Sequence, residues 1–146
     1  MSPSAPAGYS GTPLVRKLGI KPDSRLGLIG APDGFDDTLG ELPLGVRVVR
    51  RLGGPMFDVI VAFYERSAEL ERRLPPLVKA LDWAGGLWIA WPKRASGVPT
   101  DLTDNVVRDL GLATGLVDNK ICAIDQVWSG MRLVYRLRDR PPATRA

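Results

Sequence analysis

The stretch "FDVIVAFY", Phe57 to Tyr64, decides how this chain folds. All of it is apolar except Asp58, and Val59, Ile60 and Val61 are β-branched. A half-buried strand would alternate apolar and polar residues. A short run that does not alternate reads as a strand covered on both faces, the usual state in a parallel sheet flanked by helices. The next stretch, "ERSAELERRLPPLVKALDWAGG", supplies such a cover: Leu70, Leu74, Leu77 and Leu81 recur at helical spacing and form one apolar stripe. Ser67 is the expected N-cap, and Pro75 and Pro76 predict a kink or two short helices. A second buried strand follows in "GLWIAW", residues 86–91, and stops abruptly at "PKRASG". Beyond it, "TDLTDNVVRDLGLATG" reads as a helix capped by Thr100 or Asp101 and ending near Gly111.

Upstream, "RLGLIG", residues 25–30, reads as the first strand. The segment before it, "GTPLVRKLG", is a short helix with Thr12 as cap, Pro13 at its first position and Gly19 at its exit. The segment after it, "APDGFDDTLGEL", is a loop with one or two helical turns. Strand character returns at Val46, Val48 and Val49, within residues 46–51. About six residues then lead to Phe57, too few for a helical crossover. That strand is therefore a short edge strand, or its connection is extended. "NKICAID" and "MRLVYRLR", residues 119–125 and 131–138, are joined only by "QVWSG" and predict an antiparallel hairpin. The alternation of strands and helices gives an α/β, three-layer, Rossmann-like fold with a mostly parallel sheet and a C-terminal antiparallel hairpin. It is expected as a single domain over 12–139, with a loose segment at 1–11 and a disordered tail at 140–146.

Composition excludes much chemistry. The 146 residues contain no histidine, so the commonest general base and metal ligand are missing. Cys122 is the only cysteine, which rules out an intramolecular disulfide and a multi-cysteine metal site. No Walker loop, zinc spacing or nucleophile elbow is present. The expectation is no metal and no assignable catalytic residue. No signal-peptide pattern and no membrane-length apolar run occurs, which points to a cytoplasmic protein with no membrane partner. The net charge is +4. Arg47, Arg50 and Arg51, with Arg132, Arg136, Arg138 and Arg140, form an arginine face that leaves a nucleic-acid-associated role as a minor reading.

The order "FDVIVAFY", "LPPLVKAL", "GGLWIAW", "LTDNVVRDLG" and "NKICAID"/"MRLVYRL" resembles the second half of a class I methyltransferase fold. By that resemblance, "RLGLIGAPDGF" stands where the fold keeps its glycine-rich cofactor loop. The chain departs from the pattern there: Gly30, Pro32 and Gly34 replace G-x-G-x-G, and Arg50 and Arg51 stand where an acid would hold a ribose. The fold is thus degenerate methyltransferase-like, and no tight binding of S-adenosylmethionine or a dinucleotide is expected. "GYSGTPLVRKLGIKPDSRLGLIGAPDGF", "LWIAWPKRASGVPTDLTDNVVRDLGLATGLVDNKICAID" and "WSGMRLVYRL" further resemble bacterial domain-of-unknown-function family 3052, which is mostly actinobacterial. That resemblance implies a small cytoplasmic protein and carries no assigned activity.

In an open α/β sheet, ligands bind beyond the carboxyl ends of the strands. "GAPDGF", "YERS" and "WPKRASG" each follow such an end. The candidate ligand site is accordingly Asp33, Gly34, Trp91, Lys93, Arg94 and Ser96, with Glu65 and Arg66 nearby and Trp91 as a wall. Lys93 and Arg94 supply charge for an anionic small molecule or a protein partner, and Ser96 a hydroxyl donor. The plainer alternatives stay open: Asp33 as a turn residue, Glu65 as a helix start, Lys93 and Arg94 as solvated loop charges. Trp128, in the hairpin turn, packs across a neighbour or meets a partner. The leading functional expectation is a non-catalytic binding or regulatory module. A methyltransferase-like enzyme using the same crevice is the alternative.

Overall fold

A computed structural model describes residues 11–141. The expected loose segment, but for Gly11, and residues 142–146 of the expected tail lie outside that range. Six strands form one sheet: β1 Arg25–Ile29, β2 Arg47–Val49, β3 Phe57–Phe63, β4 Leu81–Pro92, β5 Leu116–Ala123 and β6 Trp128–Tyr135. Their spatial order is β2-β1-β3-β4-β6-β5. The strands β2, β1, β3 and β4 run parallel, and β6 is antiparallel to both β4 and β5. The mostly parallel sheet with a C-terminal hairpin is therefore as expected, although each hairpin strand begins three residues earlier than 119 and 131.

The uninterrupted apolar character of β3 has the cause read from sequence: both of its faces are covered. Ile60 and Ala62 pack toward α3 (Ser67–Ala80) and α4 (Asp104–Ala113), in a core with Leu70, Leu74, Leu77 and Val107. Val59, Val61 and Phe63 pack the other way, toward α1 (Leu14–Lys17) and α2 (Phe35–Leu39), with Leu14, Leu18 and Phe35. The polar exception, Asp58, sits at the amino end of β3 and accepts the Arg25 backbone N–H at 2.8 Å.

Several local expectations are corrected. Pro75 and Pro76 do not split α3, which is one helix from Ser67 to Ala80. Its last stripe residue, Leu81, already begins β4, yet it is fully buried in the same core. The cap of α1 is Pro13 rather than Thr12, while Gly19 leaves with φ +79° as expected. The cap of α4 is Thr103, whose hydroxyl accepts from the Val106 N–H. That helix runs past Gly111, which instead lets the helix approach Leu133: an added Cβ would lie 2.8 Å from its methyl groups. The short 46–51 strand is β2, three residues long at the sheet edge. Its return to β3 bends at residues 50–52 and 54–55, with Gly53 and Gly54 at positive φ, and the Arg25 guanidinium pins it by donating to the carbonyls of Gly53 (2.7 Å) and Pro55 (2.9 Å). Seven residues reach at most about 23 Å, enough to return beside so short a strand.

Candidate functional site

Because β1, β3 and β4 are parallel, the loops after Ile29, Phe63 and Pro92 all leave the same edge of the sheet. The chain from β1 crosses to β2 on one side, and β3 lies on the other. The strand order therefore reverses between β1 and β3, and a crevice opens at that point.

The turn after β1 is built by glycines. Gly30 has φ +69° and Gly34 φ +84°, a backbone region open mainly to glycine. The Phe35 N–H donates to Pro32 O at 3.1 Å, which closes the turn, and α2 starts immediately after Gly34. A Cβ on Gly34 would meet no atom within 4 Å, so its backbone is open to a ligand. Asp33 is exposed at the tip. At the end of β2, Arg50 donates to both carboxylate oxygens of Asp36 in the first turn of α2, at 2.7 and 3.0 Å. The end of β2, where the methyltransferase resemblance implies a ribose-holding acid, thus carries an ion pair between two exposed side chains.

The loop after β4 is tied down from three sides. The Lys93 N–H donates to Val127 O in the hairpin turn. The Thr100 hydroxyl donates to Glu65 O at 2.6 Å. Asp101 accepts the Ser67 N–H and the Ser67 hydroxyl, both at 2.8 Å. Asp101 therefore serves the first turn of α3 across 34 residues of sequence, the task assigned to Ser67 alone, and Arg66 is the cap residue. The Ser67 hydroxyl, followed by its backbone N–H, holds the Asp101 carboxyl below its ordinary pKa. Ser96 is spent locally: its hydroxyl donates to Lys93 O at 2.7 Å and accepts from the Val98 N–H. Its single proton is committed to the turn. Lys93 is half-buried and Arg94 exposed, and neither makes an ion pair with a described residue.

Trp91 is not the wall. It is 5% exposed and belongs to the core beneath α3 and α4, on the sheet face opposite Phe35. Trp128 lies at the edge instead. It pairs with Pro92 in the ladder, so it sits at the carboxyl edge. Asp125 accepts the Val127 and Trp128 N–H groups at 2.8 Å and fixes the hairpin turn. The half-buried indole meets Phe63 edge-on at 5.0 Å, and Phe63 meets Phe35 at 4.9 Å. These three rings make an aromatic row from the β1 turn, across the end of β3, to the hairpin. Its signal in the sequence was the spacing of single aromatics at loop boundaries, which becomes legible only once strand order is known. The structure thus brings Asp33, Gly34, Lys93, Arg94 and Ser96 to one edge, with β3 between the two loops. At roughly 4.8 Å per strand, about 10 Å separates the β1 and β4 ends. A separate open depression of about 650 Å³ lies between α1 and residues 41–44, on the amino side of β1. It shares no residue with this edge.

No protein-family model matches the chain, and no curated protein matches it in sequence. Solved structures do match. The magnesium protoporphyrin IX methyltransferase of Synechocystis PCC 6803, with S-adenosylmethionine bound, is similar over 84% of this chain and 74% of its own, at TM-score 0.55 and 10% identity. A SAM-dependent methyltransferase from Aquifex aeolicus is similar over 82% of this chain and 86% of its own, at TM-score 0.56 and 13% identity. An enzyme described as catalysing a pericyclic reaction is similar over 92% of this chain and 50% of its own, at TM-score 0.59 and 12% identity. At such identities the likeness carries the fold and no more: this chain has the Rossmann-like fold of the class I S-adenosylmethionine-dependent methyltransferases.

Proposed function

We propose that the protein is a methyltransferase-like enzyme whose crevice takes a donor of the S-adenosylmethionine class. The observation supporting this is the turn Gly30–Gly34. It joins β1 to α2 at the switch point, with two left-handed glycines and open space over Gly34. Such a turn lets backbone N–H groups approach a ligand closely. Bound there, the donor would supply an electrophilic methyl group. The chain's own residues would then orient and enclose the reactants, because methyl transfer depends on alignment more than on a proton relay. A missing histidine is no obstacle to that chemistry. Lys93 and Arg94, in the loop that leaves this edge, would attract an anionic acceptor, and Trp128 would form the wall. The finer kinship with family 3052, and a cytoplasmic setting, belong to this same proposal.

One observation favours the second reading, a non-catalytic binding module. The Arg50–Asp36 pair stands where a ribose would need a carboxylate acceptor. Donor binding is therefore expected to be weak, with a Kd above about 10 μM, equivalent to about 7 kcal/mol. Calorimetry with S-adenosylmethionine and its demethylated product separates the readings. Saturable binding of both, lost on Gly34→Val in a variant with unchanged circular dichroism, supports the enzyme. No binding of either up to about 1 mM, near 4 kcal/mol, leaves the module reading.

A further inference from the structure

The α1-side face of the β6–β5 ladder carries cations that no acid among the described residues neutralises. Arg132, at the middle of β6, pairs directly with Trp88 on β4 and with Lys120 on β5. Lys120 projects from the same face, on the other side of β6 from Trp88. Arg132 is half-buried, and burial followed by the neighbouring Arg140 charge disfavours its charged form. An arginine cannot respond by losing its proton. Neither Arg132 nor Lys120 makes an ion pair or side-chain hydrogen bond with a described residue. The guanidinium reaches over Gly86 of β4, away from β5, where an added Cβ would come within 2.8 Å of its Cζ. Arg140 is held in place by donating through Nε and a terminal nitrogen to Tyr135 O, at 3.3 and 3.1 Å.

We propose that Arg132 and Arg140 form an anion site that takes a phosphate group. Repulsion between the two guanidinium groups is relieved when one oxyanion bridges them, and a planar guanidinium offers it two parallel N–H donors. The site is distinct from the crevice. Trp88, the register partner of Arg132, lies four residues before the Pro92 end of β4, about 13 Å along the strand. The phosphate could come from a small phosphorylated molecule or from a nucleic-acid backbone, and the test distinguishes the two sources.

Inorganic pyrophosphate and a single-stranded thymidine 12-mer are titrated at low salt, with binding read by calorimetry and by amide shifts along β6. Arg132→Ala should weaken either probe at least about tenfold, since hydrogen bonds to charged groups carry that much. Arg132→Lys should recover only part of the loss. Gly86→Ala, which lifts the guanidinium without removing charge, should weaken binding as well. Lys93→Ala with Arg94→Ala should leave the amide shifts of residues 130–134 unchanged, which separates this site from the crevice. Binding of pyrophosphate comparable to the 12-mer assigns a small phosphorylated ligand. Binding of the 12-mer alone assigns a nucleic-acid backbone. If neither probe binds saturably, or if folded Arg132→Ala binds as the parent does, the proposal is overturned.

Discussion

Trp88→Phe tests how the shortest helix is held on the sheet. Trp88 is fully buried on β4, and its Nε1–H donates to the carbonyl of Leu18 at 3.0 Å across 70 residues. Leu18 is itself 1% exposed and is the C-cap residue of α1. A four-residue helix cannot stand alone, so this bond and the packing of Leu14 and Leu18 fix where α1 lies. Phenylalanine keeps an aromatic ring but removes the donor, leaving Leu18 O buried without that partner at a cost of about 1–3 kcal/mol. The smaller ring adds about 1 kcal/mol of lost packing. The sum, about 2–4 kcal/mol, corresponds to a fall in Tm of roughly 6–12 °C for a chain of this size. Thermal and urea unfolding read it. Trp128→Phe is the matched control: it keeps the edge contact with Phe63 and breaks no hydrogen bond to a described residue, so its loss should stay near 1 kcal/mol or below. Equal losses in the two variants would refute the assignment of Trp88 as the anchor of α1.

Two further outcomes are expected. Lys93→Ala with Arg94→Ala should abolish binding of an anionic crevice ligand while shifting stability by at most about 1 kcal/mol, because neither side chain is ion-paired; unfolding of the double variant would show these side chains to be structural. Asp101, held below its ordinary carboxyl pKa by Ser67, stabilises the fold above its unfolded value, and that contribution is lost as pH falls through the lower folded value. Asp101→Asn should therefore lower the urea midpoint at pH 7, and the gap to the parent should close in acid below 3.8; a gap independent of pH would contradict the role of the charge.

The fold was legible where burial writes itself into composition. "FDVIVAFY" and "GLWIAW" have no polar face, and only helices on both sides permit that. Element ends were less legible, because tertiary partners set them. Ser67 looks like a cap from its neighbours, but the carboxylate that caps α3 comes from Asp101, beyond another strand. Pro75 and Pro76 look like a break, yet Leu74 and Leu77 are buried on either side of them and α3 continues. The hairpin strands extend to Leu116 and Trp128 because residues pair there that carry no strong strand pattern.

The candidate site divides in the same way. Strand direction placed the "GAPDGF" and "WPKRASG" loops at one edge, and that followed from the order of elements alone. Side-chain roles did not follow. A tryptophan ending a buried strand can face either layer, and one residue of register sends Trp91 into the α3–α4 core while Trp128 reaches the edge from the antiparallel neighbour. A serine beside a lysine and an arginine reads as an anion donor, but a 3-10 turn at Arg94–Ser96 claims its proton. Arg50 carried the most information, since a base there departs from the acid that the methyltransferase resemblance implies. The structure adds that Arg50 is occupied by Asp36 rather than free to receive a phosphate. An exposed pair of this kind contributes little to stability, so nothing in the fold requires it. Any ligand that replaces it must offer Arg50 an anion or Asp36 a donor. On the proposed function, the crevice ligand therefore carries one or both of these groups.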